Sequence, residues 1–379
     1  MRLERIDGHD PREVLAGLRG AVHGAGPALA LGEPAHPLPD EVPAGTALVI
    51  TTSGSTGVPK SVALSRAALT ASALATAERI GSGAWLLPLS AGYIAGVQVL
   101  VRSIVAGREP GILAGRFTAE TFAAAAAGLS SYENGARVPT YTSLVPAQLA
   151  TVLDAAAHDA SVAEALRSFE AILVGGQALP VALRERAAAA GARIVRTYGS
   201  SETAGGCVYD GIPLDGVRAR EVDGEVQLSG PVLADGYLGD PKQTTRRFVV
   251  DEGTRWYRTG DAGEVREGAV RVTGRLDNVI VSGGVNVSLD LVERIVQTIP
   301  GMEQAVVVGV PDERWGQVPA VVVETAAGDG PDALARIRDL VAAELGAPAR
   351  PAGIRVVAPL PRLSSGKPDR RALAAQLAG

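Results

Sequence analysis

Residues 47–61 have the sequence ALVITTSGSTGVPKS, in which an apolar run is followed at once by a loop rich in Gly, Ser and Thr. Small residues let successive backbone N–H groups approach phosphate oxygens, while Ser53 and Thr56 add hydroxyl donors and Lys60 adds positive charge. The spacing differs from the G-x-x-x-x-G-K-S/T nucleotide loop, because Pro59 rather than Gly precedes Lys60. A flexible turn is the alternative interpretation, but the density of donors favours a phosphate-binding loop at the end of a buried strand.

The order of strand, loop and helix recurs outward from this stretch. The apolar run AILVGG at 171–176 precedes a helix-like segment at 179–191, and RIVRTYGSSE at 193–202 follows it. Continuous apolar strands that alternate with helices predict parallel sheets covered on both faces. From 216 to 272 the chain changes to short segments separated by turns, which predicts an antiparallel β subdomain.

The C-terminal part of the chain has a different pattern. Beyond residue 277, short apolar strands alternate with helix-like segments at 289–299 and 331–345, which predicts a small α+β unit of ordinary domain size. We therefore expect an α/β protein with two domains. A large N-terminal domain of parallel sheets, covering helices and a small β subdomain would occupy 1–276, and a small mobile α+β domain would occupy 277–379.

Composition excludes several kinds of chemistry. The 379 residues include one Cys and four scattered His, so neither a disulfide framework nor a Cys- or His-rich metal cluster is expected. A formal net charge of −5 argues against nucleic acid as the main partner. The N-terminus lacks the apolar core of a signal peptide, and Pro88 and several Gly interrupt the uncharged stretch 80–101. That stretch predicts a buried strand, a loop and a buried helix, with no membrane span. We therefore expect a cytoplasmic enzyme that acts on small molecules. Formation of a homodimer is possible and is left open.

Two motifs in the middle of the chain supply candidate acidic site residues. TYGSSET at 197–203 places Glu202 among hydroxyls, which suits Mg²⁺ held jointly by one carboxylate and substrate phosphates. WYRTGD at 256–261 ends in Asp261, whose two carboxylate oxygens suit a pair of ribose hydroxyls. Taken alone, each carboxylate is better explained as a solvated residue beside a turn.

Two further motifs supply candidate basic residues. GRLDNVIVSGGVNVS at 274–288 contributes Arg275, within reach of ribose or phosphate, and a Gly pair that lets backbone pack close to a thin ligand. LPRLSSGK at 360–367 contributes Lys367 on a Gly- and Ser-rich loop. A lysine in such a loop, considered alone, is usually a surface residue.

In this order and approximate spacing, the motifs resemble those of the adenylate-forming superfamily of acyl-CoA synthetases, adenylation domains and luciferases. The matching segments are TSGSTGVPK, YGSSET, YRTGD, GRLDNVIVSGG and PRLSSGK, and the resemblance extends from Thr46 to the end of the chain. It implies a two-step reaction with ATP, Mg²⁺ and CoA. A carboxylate attacks the α-phosphate of ATP to give an acyl-adenylate and pyrophosphate, and the CoA thiol then displaces AMP. It also implies a region before the phosphate loop that is shorter than in many members.

The resemblance carries residue roles onto this sequence. It assigns ATP contacts to nine residues, with the phosphates given first, then the adenine pocket, then the ribose: Ser53, Thr56 and Lys60; Gly175, Gly176, Gln177 and Tyr198; Asp261 and Arg275. It assigns catalysis to Lys367 and Thr203, which would contact the α-phosphate, and to Glu202, which would hold Mg²⁺. It also places three residues at the moving parts of the enzyme: Asp277 at a domain hinge, and Gly283 and Gly284 beside a pantetheine tunnel.

Within the superfamily, YIAGVQVLVRS, TSLVPAQL and ILVGGQALP resemble the o-succinylbenzoate–CoA ligase family of menaquinone biosynthesis. Tyr93 stands where that family has a His, a departure that affects the expected shape of the acyl pocket. The substrate of that family has a second carboxylate, and a buried carboxylate needs a cation or several donors. We therefore expect Arg102 to neutralise it, with Ser143 as a further pocket donor. A surface Arg at a helix end is the alternative for Arg102.

Three other functions remain open from the sequence. The same chemistry would serve an aryl or fatty acid, an adenylation enzyme would load a separate carrier protein, and a non-catalytic relative would only bind an adenylate. A panel of acids assayed with and without CoA separates the first two from the leading hypothesis. The third is disfavoured because the expected catalytic positions are all filled.

Overall fold

The computed structural model describes residues 1–52, 59–325, 332–363 and 366–378. Ser53 and Thr56 of the predicted phosphate loop lie outside the described residues, so their roles stay predictions. Three large sheets and a two-stranded sheet of Tyr132–Glu133 and Ala136–Arg137 build the N-terminal region with their helices, and a further sheet builds the C-terminal region.

The first sheet holds the strands on either side of the predicted phosphate loop. In spatial order its strands are Leu3–Arg5, Ala28–Leu31, Thr46–Thr52, Lys60–Ser65 and Gly236–Tyr237. The first three are parallel, and the last two join in antiparallel register, so that Thr52 lies opposite Lys60. The helix Arg66–Ile80 follows, and the strand Lys60–Ser65 before it was missed by the sequence pattern. Its Val62 and Leu64 are fully buried and hold the strand against the core.

The second sheet is the parallel one that the alternating pattern predicts. In spatial order its strands are Ile212–Pro213, Gly205–Tyr209, Ile194–Ser200, Ala171–Val174, Thr140–Leu144, Ala84–Leu87 and Gly111–Ile112. The five from Ile194–Ser200 onward are parallel, and the other two add an antiparallel edge. Buried side chains of the first two sheets and of the helices between them form one continuous core.

The third sheet is antiparallel, as the change of pattern after residue 216 predicts. Its strands are Arg218–Val222, Glu225–Ser229, Phe248–Asp251, Thr254–Arg266 and Ala269–Arg275. A turn at residues 276–277 leads from it to the C-terminal sheet, whose strands are Val279–Ser282, Val285–Ser288, Val306–Asp312, Gly316–Val323 and Ile354–Val356. The expected domain boundary between residues 276 and 277 falls in this turn and stays a prediction.

Helices cover these sheets. The helices of the N-terminal region are Pro11–His23, Arg66–Ile80, Ile94–Val105, Ala119–Gly128, Pro146–Ala156, Ala160–Ser168, Val181–Ala189 and Pro241–Arg247. Those of the C-terminal region are Leu289–Val296, Ala333–Leu345 and Arg370–Ala378. The uncharged stretch 80–101 forms the strand Ala84–Leu87, a loop and the start of the helix Ile94–Val105, as predicted. In the part of the chain that the structure describes, no helix combines the length and apolar character of a membrane span.

Candidate active site

A single cavity of about 720 Å³ gathers most of the predicted site residues. It lies at the carboxyl ends of the parallel strands of the second sheet, where ligands of open α/β sheets usually bind. Ser143, Gly175, Gly176 and Tyr198 line it from those strands and the loops that follow them. The third sheet and the C-terminal region close it from the other side.

One side of the cavity consists of polar groups that are already bonded to one another, and we call Tyr198, Asp261 and Arg275 the paired wall. The Tyr198 hydroxyl donates to Asp261 Oδ2 at 2.6 Å, and Arg275 Nη1 donates to Asp261 Oδ1 at 2.9 Å. Arg275 Nε also donates to Asp277 Oδ1 at 3.0 Å. Burial raises the pKa of Asp261, although its bonds to Tyr198 and Arg275 favour the ionised form. The contact between Arg275 and Asp261 places the two predicted ribose-binding side chains together.

A carboxylate and a lysine face the cavity next to the first sheet. Glu202 follows the strand Ile194–Ser200, is 9% exposed, and accepts a 2.9 Å hydrogen bond from the Tyr237 hydroxyl through Oε1. Lys60 Nζ lies 5.9 Å from the centroid of the Tyr237 ring, and partial burial lowers the pKa of Lys60. Among the described residues, no cluster of three or more His, Cys, Asp or Glu could hold a metal. A metal at Glu202 would therefore take its other ligands from substrate and water.

Lys367 enters the cavity from the C-terminal region. Its loop is closed by a bridge between Arg362 and Pro368 and by a 2.8 Å hydrogen bond from the Leu363 amide to the Lys367 carbonyl. Lys367 is an exposed residue that lines the cavity, and desolvation by the surrounding protein lowers the pKa of Lys367. The carboxylates of Asp261 and Glu202 act in the opposite direction and favour the cation. The structure thus brings the predicted catalytic lysine to the same cavity as the paired wall.

Two predicted nucleotide contacts lie behind the described cavity wall. Thr203 is fully buried, and its hydroxyl has partners at the carbonyls of Ser200 (3.1 Å) and Gly205 (2.8 Å) while it accepts from the Ser200 amide. Gln177 is half-buried in the loop after Gly176. In the described structure neither side chain lines the cavity, so the α-phosphate contact of Thr203 and the adenine contact of Gln177 stay predictions.

The Gly pair assigned to the pantetheine tunnel lies apart from the described cavity. Gly283 and Gly284 form the exposed turn between the strands Val279–Ser282 and Val285–Ser288, with φ of 57° and 81°. Only glycine adopts this left-handed region without strain. A Cβ on Gly283 would also collide with the Trp315 ring, so the turn requires glycine for its own packing. The role of the pair beside a tunnel stays a prediction, as does the hinge role of Asp277.

Another part of the cavity lining carries buried polar atoms that lack partners among the described residues, and we call Gln98 and Arg102 the unpaired wall. Both lie on the helix Ile94–Val105, are 1% and 6% exposed, and line the cavity. Within the described structure, neither amide atom of the Gln98 side chain has a hydrogen-bond partner, and neither does Nε of Arg102. The sequence analysis missed Gln98. Its four-residue spacing from Arg102 within an otherwise apolar helix was the available indication.

The partners of the Arg102 guanidinium in the described structure are neutral side chains. Its Nη2 donates to the Tyr209 hydroxyl at 3.2 Å, and its guanidinium lies 4.9 Å from the Trp85 ring centroid. Tyr209 bonds to Thr76 Oγ1 at 2.9 Å, and Thr76 donates to the Ser72 carbonyl, so protons point away from Arg102 along the chain of bonds. Burial lowers the pKa of Arg102, and no ion pair involves it in the described part of the chain. The interpretation of Arg102 as a surface residue at a helix end is therefore wrong.

Two other predicted acyl-pocket residues also line the cavity. Ser143 is 7% exposed on the strand Thr140–Leu144, and Tyr93 caps the N-terminus of the helix that carries the unpaired wall. Their positions join the predicted acyl pocket to the predicted ATP site in one cavity.

Comparisons with known proteins identify the class. The model of the AMP-binding enzyme family matches residues 10–276, and that of the AMP-binding enzyme C-terminal domain matches residues 291–367. A probable 2-succinylbenzoate–CoA ligase of Mycobacterium tuberculosis H37Rv is 42% identical, over 88% of this chain and 85% of the relative. The 2-succinylbenzoate–CoA ligase of Salmonella typhimurium is 34% identical, over 77% of this chain and 61% of the relative.

Solved structures agree with this assignment. An Escherichia coli MenE variant with bound OSB-AMS has a TM-score of 0.71 and 28% identity, over 92% of this chain and 72% of that structure. The o-succinylbenzoate CoA synthetase (MenE) of Bacillus subtilis in complex with the acyl-adenylate intermediate OSB-AMP has a TM-score of 0.71 and 27% identity, over 86% and 69%. The chain belongs to the AMP-binding enzyme family, which confirms the superfamily and the fold class expected from its motifs.

Proposed function

We propose that this chain is an ATP-dependent acid–thiol ligase that adenylates o-succinylbenzoate and transfers the acyl group to CoA. The observation that carries the proposal is Arg102, a buried cation without an acidic partner in the described structure, which lines the same cavity as Tyr198, Asp261 and Lys367. The similarity to 2-succinylbenzoate–CoA ligases supports the same acid.

The charge of the cavity suits a dicarboxylic acid. One carboxylate of o-succinylbenzoate is activated, and the other stays ionised and needs a partner inside the protein. Arg102 provides that partner from a wall that is otherwise apolar or neutral. A fatty acid would place methylene groups against a buried cation and leave its charge uncompensated, which is costly.

For the first half-reaction we assign the substrate oxygens to residues around the cavity. The acid carboxylate attacks the α-phosphorus, the bond to the bridging β-phosphate oxygen breaks, and pyrophosphate leaves. Lys367 would contact the carboxylate and α-phosphate oxygens, where a fixed cation stabilises the crowded negative charge. The paired wall would hold the adenosine, with Tyr198 against adenine and Asp261 on the ribose hydroxyls.

Glu202 fits Mg²⁺ as a single carboxylate in a cavity without a metal-binding cluster among the described residues. Mg²⁺ commonly takes one or two carboxylates and completes its shell with phosphate and water oxygens. When bound, the ion neutralises phosphate charge. Tyr237 orients the Glu202 carboxylate through its hydrogen bond to Oε1, so Glu202 would present a fixed carboxylate to the ion.

In the second half-reaction the CoA thiol loses its proton, sulfur attacks the acyl carbonyl, and the bond to AMP breaks. We assign the approach of CoA to a rearrangement of the C-terminal region about Asp277, which brings Gly283 and Gly284 to the pantetheine. ATP and CoA are cytoplasmic metabolites, so we place the enzyme in the cytoplasm. We leave homodimer formation as a possibility, which a measurement of the mass of the native protein in solution would test.

The test is a panel of acids assayed with ATP, Mg²⁺ and CoA. It contains o-succinylbenzoate, benzoate and an even series of fatty acids, with thioester and AMP measured separately. Preferential thioester formation from o-succinylbenzoate supports the proposal. Preference for benzoate or a fatty acid contradicts it, and AMP release without a CoA thioester from any acid indicates a carrier protein as acceptor instead.

A further inference from the structure

We infer that Gln98 and Arg102 act together as a carboxylate-binding subsite, and that Gln98 is a specificity-determining residue that selects acids with a second carboxylate. The inference deepens the proposed function and rests on it. It goes beyond a role for Arg102 alone, because it assigns a partner for the anion that no motif indicates.

Gln98 and Arg102 carry buried polar atoms without hydrogen-bond partners in the described structure. Buried polar atoms almost always have a partner, and a buried amide with neither atom bonded costs free energy. Gln98 is 1% exposed, both of its amide atoms lack partners within the described structure, and Nε of Arg102 does too. Three such atoms on neighbouring residues of one cavity wall indicate a site completed by a ligand.

The spacing places these atoms on one face. Residues four apart on an α-helix are neighbours, so Gln98 and Arg102 project from the helix Ile94–Val105 into the same part of the cavity. Their free donors are the Arg102 Nε–H and the Gln98 amide N–H groups. Two donors side by side with one net positive charge match the two oxygens of a carboxylate.

The backbone behind Gln98 restricts where its side chain can lie. Gly205 adopts φ of 95°, and a Cβ there would lie 3.1 Å from Gln98 Cγ. The Gly205 carbonyl has a partner in the Thr203 hydroxyl at 2.8 Å, so this backbone is held in place. Gln98 is thus packed against this backbone through its Cγ, and the residue lines the cavity.

The test compares two acids that differ by the second carboxylate. One is o-succinylbenzoate, and the other is 4-oxo-4-phenylbutanoate, which has the same keto acid chain and no carboxylate on the ring. The readout is acid-dependent AMP formation with CoA, expressed as the ratio of kcat/KM for the two acids. A ratio cancels losses that affect both acids equally.

Four variants test the pair. Arg102→Met is expected to lower the ratio by about 100-fold or more, because it removes the buried partner of an anion. Gln98→Leu is expected to lower it by about tenfold, as for one hydrogen bond to a charged group. Gln98→Glu should lower it further than Gln98→Leu, since the new carboxylate pairs with Arg102 and repels the substrate. Arg108→Met, at an arginine beyond the same helix that is 29% exposed and pairs with Glu133, removes the same charge and should leave the ratio unchanged.

Thermal unfolding separates recognition from folding. Gln98→Leu removes two unpartnered polar atoms, so its Tm without ligand should equal or exceed that of the wild type. The rise in Tm caused by o-succinylbenzoate should be smaller in Gln98→Leu than in the wild type. These two readouts hold even where Arg102→Met fails to fold.

The outcomes are distinct. If wild-type protein activates neither acid, the proposed function fails, and the inference fails with it. If the wild type prefers o-succinylbenzoate but Gln98→Leu keeps the wild-type ratio, the proposed function stands and the subsite is overturned, with water as the partner of the amide. An equal loss in Arg108→Met assigns the effect to net charge and also overturns the inference.

Discussion

The paired wall and the unpaired wall of the cavity differ in whether their charged and polar groups have hydrogen-bond partners in the described structure. On the paired wall, Asp261 accepts from both Tyr198 and Arg275 before any substrate arrives. On the unpaired wall, Gln98 and Arg102 have buried donor atoms without partners in the described part of the chain. Under the proposed function, the first arrangement would be preorganised for ATP, and the second would be completed by a particular acid.

The difference separates catalysis from selection. Groups that hold ATP keep their geometry without acid, so their loss should affect all acids by the same factor. Groups that bind the second carboxylate contribute to binding only when the acid carries one, so their loss should change the preference among acids. The first two of the following experiments test whether an effect is independent of the acid, as the paired wall predicts, and the other two test single groups on the ATP side of the cavity.

The largest effect is expected at Lys367. Lys367→Ala should lower pyrophosphate exchange by about 100- to 1,000-fold with every acid, because one fixed charge is lost from the adenylation transition state. Thioester formation from supplied acyl-adenylate should fall far less. The matched control is Lys242→Ala, an exposed lysine on the helix Pro241–Arg247, which should behave like the wild type. Normal exchange in Lys367→Ala contradicts the assignment.

A smaller loss is expected when the paired wall is broken. Asp261→Asn keeps the size of the side chain but removes the charge that meets Arg275, and should raise the KM for ATP by about 30- to 100-fold. The factor should be the same for o-succinylbenzoate and for 4-oxo-4-phenylbutanoate. A factor that depends on the acid would show that the two walls are not independent.

The protonation of Lys367 gives the enzyme an alkaline limit. Burial lowers the pKa of Lys367, and adenylation needs the cation, so kcat/KM for ATP should fall as pH rises through a pKa below the usual lysine range. Beyond that point the expected slope is about tenfold per pH unit. Lys367→Arg keeps its charge at these pH values, so the alkaline fall in kcat/KM should be absent from this variant. If the alkaline fall in kcat/KM persists in Lys367→Arg, another group is responsible for the ionisation.

The smallest effect concerns the group that orients Glu202. Tyr237→Phe removes the 2.9 Å hydrogen bond to Oε1 while it keeps the ring beside Lys60. One such bond to a charged group is worth about 1.5–3 kcal/mol in a closed site, and less where water replaces it, so about a fivefold rise in the Mg²⁺ requirement is expected. Titration of activity with Mg²⁺ measures it. An unchanged requirement contradicts the proposed role of Glu202.

Much of this organisation was available from the sequence. Lys60, Tyr198, Asp261, Arg275 and Lys367 lie in short motifs whose chemistry is local, and all five line the cavity. Parallel strands were predictable because apolar runs are bounded by Gly-rich loops. The strand Lys60–Ser65 was not, because six residues after a turn carry too little periodicity to distinguish a strand from the start of a helix.

The unpaired wall was only half predictable. Arg102 was expected to contact the acid because the substrate of the resembling family has a second carboxylate to neutralise. In the described structure, however, Arg102 has a neutral partner, Tyr209, which itself bonds to Thr76, more than one hundred residues away from Tyr209 in the chain. The free amide of Gln98 is a property of its surroundings that no local pattern contains. The position of Thr203 behind the wall depends in the same way on the fold of its own turn.

The loop that carries Lys367 has a consequence for the fate of the intermediate. An acyl-adenylate is a mixed anhydride that water can destroy, and a closed site prevents that side reaction. Arg362, Leu363, Gly366 and Lys367 line the cavity together, so a movement of the C-terminal region that withdrew the Lys367 cation would also open this side of the cavity to water. We therefore expect the stoichiometry of AMP to thioester to stay near one in the wild type, and a variant with a weakened bridge between Arg362 and Pro368 to waste ATP before it slows.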